Sequence, residues 1–243
     1  GSGLSATRLP APRVPGALFI HGWTGGRRDM AGPMIEVAAC GFACLDYDLR
    51  GHGATSGQRP QVTLRESVDD AVHAWEALAA MPGVDDDEIA VIGSSFGGWL
   101  ASLLAAERPV RWLALRVPAL YPDQWWDVPK EALDDAALAA YRRAGQDRAS
   151  DRALAACAAF KGEVLLVWSG RDERLPQALS DSFQTAFPNA CSLTVRRIRA
   201  ADHALTSSAS RPEYRALLGG WLGASLFARR RRRLAGLLEA DPA

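Results

Sequence analysis

The stretch Glu88-Ile89-Ala90-Val91-Ile92-Gly93-Ser94-Ser95-Phe96-Gly97-Gly98 constrains this chain more than any other. A short apolar run ends at a turn with a glycine on each side of a serine. An apolar run of helical length, Phe96 to Glu107, follows at once. In strand–turn–helix context this is Gly-x-Ser-x-Gly. The spacing has a steric reason. A serine presented at so tight a turn brings the residues two before and two after it against neighbouring backbone, where a Cβ would collide. Gly93 and Gly97 meet that need for Ser95. If Ser94 were the presented residue, the flanking positions would be Ile92 and Phe96, both too large. Ser95 is the register that fits.

The rest of the chain repeats the same alternation. Ala17 to Ile20 reads as a buried strand, Arg28 to Cys40 as a helix closed by Gly41, and Phe42 to Tyr47 as a second strand. Leu64 to Met81 carries apolar residues near helical spacing, with Pro82-Gly83 as its stop. Glu88 to Ile92, Val110 to Val117, Gly162 to Trp168 and Ser192 to Ile198 read as further strands. Helices are expected over Phe96 to Glu107, Pro176 to Phe187, and from Arg211 into the arginine run at 229–233. Such order predicts an α/β fold: a mostly parallel sheet of about six strands with helices on both faces.

Between Pro118 and Phe160 no strand is legible. An aromatic, Pro-bearing segment, Tyr121 to Pro129, is followed by an Ala-rich helical stretch. A structureless loop of that length is uncommon in a compact domain. The reading is a small helical cap inserted at about 118–160 into a single domain spanning 1–243. Tyr121, Trp125 and Trp126 are candidates to line an acyl pocket, to anchor the cap to the body, or both.

A serine hydroxyl needs a base to become a useful nucleophile. Four histidines are available. His73 lies inside a helix. His21, His52 and His203 follow strands, where an open α/β sheet collects its working residues. Only His203 comes late enough for the order Ser, Asp, His that accompanies this turn. Asp172, after the strand ending at Trp168, would orient the imidazole. Glu173 is its neighbouring alternative, and Asp202 reads as a solvated loop carboxylate. Two backbone N–H groups should face the developing oxyanion. One is that of Phe96, at a helix N-terminus where the dipole favours negative charge. The other is assigned to Trp23, in the glycine-rich loop after the first strand.

On these residues the chain resembles the α/β-hydrolase superfamily. The matches are His21-Gly22-Trp23-Thr24-Gly25, Asp48-Leu49-Arg50-Gly51-His52-Gly53, Gly93 to Gly98, and Asp172 with His203 in strand-end loops. The resemblance spans about Ala17 to Leu226. Within the superfamily the chain is similar to bacterial dienelactone-hydrolase-like and prolyl-oligopeptidase-like esterases. It departs from true dienelactone hydrolases, which carry Cys where Ser95 stands, and it lacks the propeller of the oligopeptidases. An Asp at that position would imply dehalogenase or epoxide hydrolase chemistry, which Ser95 disfavours. The resemblance implies a Ser-His-Asp serine hydrolase acting on esters of small to medium acyl groups, with no metal and no cofactor. A thioesterase, acyltransferase or peptidase on the same residues is the nearest alternative. A non-catalytic ligand-binding module of the same fold is the alternative from another class.

The remaining features add exclusions. Twenty-eight basic and 28 acidic side chains cancel, so no overall field draws the chain to nucleic acid or an anionic membrane. Arg229–Arg233 reads as a solvated helix end. Arg50 and His52 read as residues tied into their own turn. Cys40, Cys44, Cys157 and Cys191 match neither a zinc site nor a CxxC redox pair, and read as free thiols. No apolar run is long enough to span a membrane and no secretory signal is legible, so a cytoplasmic location and a small-molecule substrate are expected.

Overall fold

The computed structural model describes residues 13–239. Its centre is a six-stranded sheet in the order β2-β1-β3-β4-β5-β6, with every neighbouring pair parallel. The strands are β1 (Val14–Ile20), β2 (Ala43–Asp46), β3 (Val84–Ser94), β4 (Trp112–Arg116), β5 (Glu163–Ser169) and β6 (Ser192–Ile198). All six expected strands are present.

Parallel strands cannot turn back directly, so helices connect them and cover both faces. The strand residues divide by alternation, as a pleated strand requires. In β1, Leu18 and Ile20 enter one core while Ala17 and Phe19 enter the other. In β3, Ile89 and Val91 face the first core and Ala90 and Ile92 the second. The first core is covered by α2 (Leu64–Ala79), α3 (Phe96–Glu107) and α6 (Gln177–Thr185), which contribute Val68, Leu100 and Phe183 among others. The second is covered by α1 (Arg27–Ala39) and α7 (Ser210–Glu239), through Val37, Leu218 and Leu222. Each such buried aliphatic side chain contributes about 1.5–3 kcal/mol before conformational entropy is counted.

Local chemistry fixes where the helices start. Thr63 caps α2 by accepting from the Glu66 N–H, and the Glu66 carboxylate returns a bond to the Thr63 N–H at 2.9 Å. Residues 118–160 form 3-10 turns at Asp123–Trp125 and Lys130–Ala132, then α4 (Asp135–Arg143) and α5 (Arg152–Ala159). Asp134 and Asp151 cap the two helices. Leu133, Leu138 and Leu154 of this segment are buried in the same core as α2 and α3. The arginine run is not a helix end: it lies inside α7, where Arg229 reaches Glu88 at 2.7 Å and Arg232 and Arg233 approach Glu163 and Asp85. Among the described residues no helix is long and apolar enough to cross a membrane.

The strand order decides where a site can form. After β1 the chain goes to one side of the sheet for β2, and from β3 onward it builds the other side. Connections leaving β1 and β3 therefore part, and a crevice opens at their carboxyl ends. Gly22 and Trp23 follow β1 there, and Ser95 follows β3.

Candidate active site

Ser95 sits between β3 and α3 with φ +55° and ψ −112°, a left-handed conformation unusual for a residue with a Cβ. The turn is held from below. Ser95 N donates to the Arg116 carbonyl at 2.9 Å, and its own carbonyl accepts from Gly98 and Ala119, both at 3.0 Å. The glycine rule holds in detail. A Cβ on Gly93 would overlap the Gly97 carbonyl, and a Cβ on Gly97 would overlap the Ile20 carbonyl.

His203, in the loop after β6, places Nε2 2.9 Å from Ser95 Oγ. Its Nδ1 lies 2.8 Å from Asp172 Oδ2, in the loop after β5. In the tautomer these contacts select, Nδ1–H donates to Asp172 and Nε2 accepts from the serine hydroxyl. The other Asp172 oxygen accepts from the N–H groups of Arg174 at 2.9 Å and Leu175 at 3.1 Å. Burial pushes the Asp172 carboxyl up. The hydrogen bond and charge of His203 and the two backbone donors outweigh that, and hold it below the ordinary carboxylate range. Asp172 is therefore an ionised acceptor whose lone pairs are assigned.

The competing residues are engaged elsewhere. His21 accepts the Leu49 N–H on Nε2 at 3.1 Å, and its Nδ1 lies 2.8 Å from the Gly22 carbonyl. Burial holds its pKa below the ordinary histidine value. His52 Nε2 lies 2.6 Å from the Trp23 carbonyl. His73 is exposed on α2. Asp202 accepts from the Thr206 N–H at 2.8 Å. Glu173 is exposed. Arg50 is not tied into its own turn: it reaches across to α2, pairing with Asp70 at 2.6 Å and Glu66 at 3.3 Å.

Phe96 begins α3 directly after Ser95, so its N–H is one of the unpaired donors of a helix start. The loop carrying Trp23 lies against the serine: a Cβ on Gly22 would sit 3.4 Å from Ser95 Cβ. The Trp23 indole N–H donates to Glu131 at 2.6 Å, tying this loop to the segment 118–160.

The three aromatic candidates go elsewhere. A cavity of about 700 Å³ beside Ser95 and His203 is lined by the first turns of α1 and α7, and Tyr121, Trp125 and Trp126 are not among its lining residues. Tyr121 is buried, edge-on to Phe96 and Trp99. Trp126 stacks beneath the Arg152 guanidinium, 4.1 Å from ring centre to carbon. The reason lies in the fold: residues 118–160 join the α2–α3 side of the sheet, whereas the cavity opens toward the α1–α7 side.

Sequence reading missed Arg116. It ends β4, is 7% exposed, and donates to Ser94 Oγ from Nε and Nη2 and to the His203 carbonyl from Nη1 at 2.9 Å. A charge at the end of an otherwise apolar strand was the available signal. Among the described residues no cluster of three or more His, Cys, Asp or Glu side chains could hold a metal ion. The four cysteines are free.

The family model described as alpha/beta hydrolase fold matches residues 18–152, more than half of the chain. The chain belongs to the α/β-hydrolase family. Among curated relatives, the human mitochondrial palmitoyl-protein thioesterase ABHD10 is 31% identical over 105 residues, covering 42% of this chain and 32% of that protein. The chain thus spans about a third of the length of the curated relatives it matches. Among solved structures, the ferulic acid complex of Est1E from Butyrivibrio proteoclasticus superposes with a TM-score of 0.65 at 18% identity, covering 86% of this chain and 88% of that one. A monoacylglycerol lipase of Paleococcus ferrophilus gives 0.65 at 17% identity, over 88% and 96%. At that identity the likeness is one of fold. In this α/β-hydrolase chain the family match runs from β1 through the serine turn and β4 to the start of α5.

Proposed function

We propose that this α/β-hydrolase is a serine hydrolase that cleaves carboxylic esters of small to medium acyl groups. The observation that carries the reading is the hydrogen-bonded relay from Asp172 through His203 to Ser95 Oγ, at 2.8 and 2.9 Å. Asp172 fixes the imidazole tautomer and stabilises the imidazolium that forms. His203 Nε2 takes the hydroxyl proton as Ser95 Oγ attacks the ester carbonyl. The backbone N–H groups of Phe96 and Trp23 hold the resulting oxyanion, a contribution of about 100- to 1000-fold for each donor. His203 then gives its proton to the leaving alcohol. Water enters, loses a proton to His203 and attacks the acyl-enzyme, and collapse releases the acid and frees Ser95.

The test is covalent labelling with an organophosphonate probe, read by intact mass. One adduct is expected on the parent and none on Ser95→Ala. Equal labelling of the two would sink the assignment.

A thioesterase is the second reading, favoured by the thioesterases among the curated relatives. Both reactions use the same relay. A ratio of kcat/KM for an acyl thioester over the nitrophenyl ester of the same acid decides between them. A ratio well above that of the uncatalysed reactions assigns the thioesterase.

A further inference from the structure

The cavity beside Ser95 and His203 has an unusual charge. Arg28 on α1, Arg116 on β4, and Arg211 and Arg215 on α7 all line it, against one carboxylate, Asp29. Elsewhere arginines find acids: Arg27 pairs with Asp48, Arg50 with Asp70 and Arg229 with Glu88. Among the described residues, none of the four cavity arginines pairs with a carboxylate.

Arg116 is the sharpest case. It is more than nine-tenths buried, and all its hydrogen bonds go to neutral oxygens, the Ser94 hydroxyl and the His203 carbonyl. A guanidinium has five N–H donors, so donors remain over. A buried cation with no carboxylate in direct contact is costly, and the carboxylates nearest Arg116, those of Asp172, Asp202 and Asp29, act on it only through space. Arg215 Nε is likewise buried without a partner, and Arg211 Nε donates only to the Leu205 carbonyl at 2.8 Å. The first turns of α1 and α7 add the positive ends of two helix dipoles to the same lining.

We propose that this cavity binds an oxyanion on the substrate, a carboxylate or phosphate, so that the preferred ester carries a negative charge at the end remote from its scissile carbonyl. Guanidinium groups suit either oxyanion because their paired N–H donors match its two oxygens. The anion would supply the directly paired counter-charge that Arg116 lacks, and binding there would hold the ester beside Ser95 Oγ. The substrate assignment rests on the hydrolase reading above, whereas the anion site stands on the arginines alone.

The experiment compares the 4-nitrophenyl half-ester of adipic acid with its methyl-capped diester. A matched phosphonate-ended ester forms a third arm, and 4-carboxyphenyl acetate with its methyl ester probes the leaving-group side. The charged member is expected to gain about tenfold or more in kcat/KM, the scale of one good charge-assisted contact. The advantage should shrink as salt rises. In an Arg28→Gln/Arg211→Gln variant the ratio of charged to capped ester should fall toward one. A larger gain for the phosphonate assigns phosphate and a larger gain for adipate assigns carboxylate, and both support the site. Efficient turnover of the capped esters with no gain for any charged partner overturns it. Calorimetric titration of Ser95→Ala with adipate and inorganic phosphate reads the site without catalysis. Binding that weakens in the arginine variant supports it, and heat independent of those arginines, or none, overturns it. Binding there combined with no ester turnover and no probe labelling would refute the hydrolase reading and leave the anion site standing.

Discussion

Arg116 donates two hydrogen bonds to the hydroxyl of Ser94, from Nε at 3.0 Å and from Nη2 at 2.7 Å. The hydroxyl adjacent to Ser95 is thus an acceptor for a cation, with its lone pairs turned away from any electrophile. Removing each serine should have opposite consequences. Ser95→Ala should lower kcat by about 10⁶-fold, the scale seen when the nucleophile of such a relay is lost. Ser94→Ala should keep kcat within about tenfold, a barrier change of 1.4 kcal/mol. It should cost about 1–3 kcal/mol of stability, because buried donors of Arg116 lose their acceptor. Steady-state kinetics and urea denaturation on the two variants check this. Loss of all activity in Ser94→Ala with an intact fold would count against the assignment of roles.

The crowding around Gly97 makes a prediction about stability alone. Its missing Cβ leaves room for the Ile20 carbonyl, which is backbone and belongs to the central strand β1. Neither side can yield without moving β1 or α3. Gly97→Ala should destabilise by more than about 3 kcal/mol, beyond the ordinary range for one substitution. Chemical denaturation gives the value. A variant as stable as the parent would mean that the serine turn is not closely packed on β1.

The same residues explain which parts of the structure could be read from sequence. The strand cores and the serine turn were legible because alternation and glycine spacing are local. The beginnings of β1 and β3 were not. β3 starts at Val84 and not at Glu88, since Asp85, Asp86 and Asp87 look like a loop until their partners are known. Val84 pairs with Val14 of β1, while Arg13 and Arg233 neutralise Asp86 and Asp85. Chain order pointed to Asp172 and His203, and the structure brings the two together beside Ser95. Arg116 stood out as a charge at a strand end, but its role was illegible because its partners lie 22 and 87 residues away. The aromatic cluster at 121–126 drew attention by composition, yet the rings of Tyr121 and Trp126 pack against Phe96, Trp99 and three arginines. The cavity arginines on α1 and α7 resemble any helix surface until the two helices are placed side by side.

Among the described residues Asp172 is the only partner of His203 Nδ1, which makes its amide variant informative. Asp172→Asn keeps the size of the side chain but can present an N–H where an acceptor is needed. The imidazole would then turn to the tautomer with its proton on Nε2, which cannot accept from Ser95. A fall of about 10⁴-fold in kcat is expected, with KM nearly unchanged, as for the equivalent change in a serine protease. Glu173→Gln should leave kcat close to the parent value, since that side chain is exposed and forms no bond to His203. Reversal of the two effects would reassign the third member to Glu173.

The pH dependence of stability follows from the same carboxylate. Burial raises the Asp172 pKa, but the His203 hydrogen bond, its charge and the two backbone donors lower it further, and the folded value lies below the unfolded one. Such a group stabilises the fold fully above its unfolded pKa, because the folded state holds the ionised form more tightly. That contribution fades as pH falls through the folded value, below the ordinary carboxylate range. Other depressed carboxylates, Glu66 and Glu131 among them, titrate in the parent and in Asp172→Asn alike. The difference between the two proteins therefore isolates Asp172. Urea midpoints measured from neutral pH down to about pH 2 should converge as acid is added, the parent losing more stability than the variant. Curves that stay parallel throughout would mean that Asp172 ionises no more readily in the folded chain than in the unfolded one, and that His203 gains no charge partner from it.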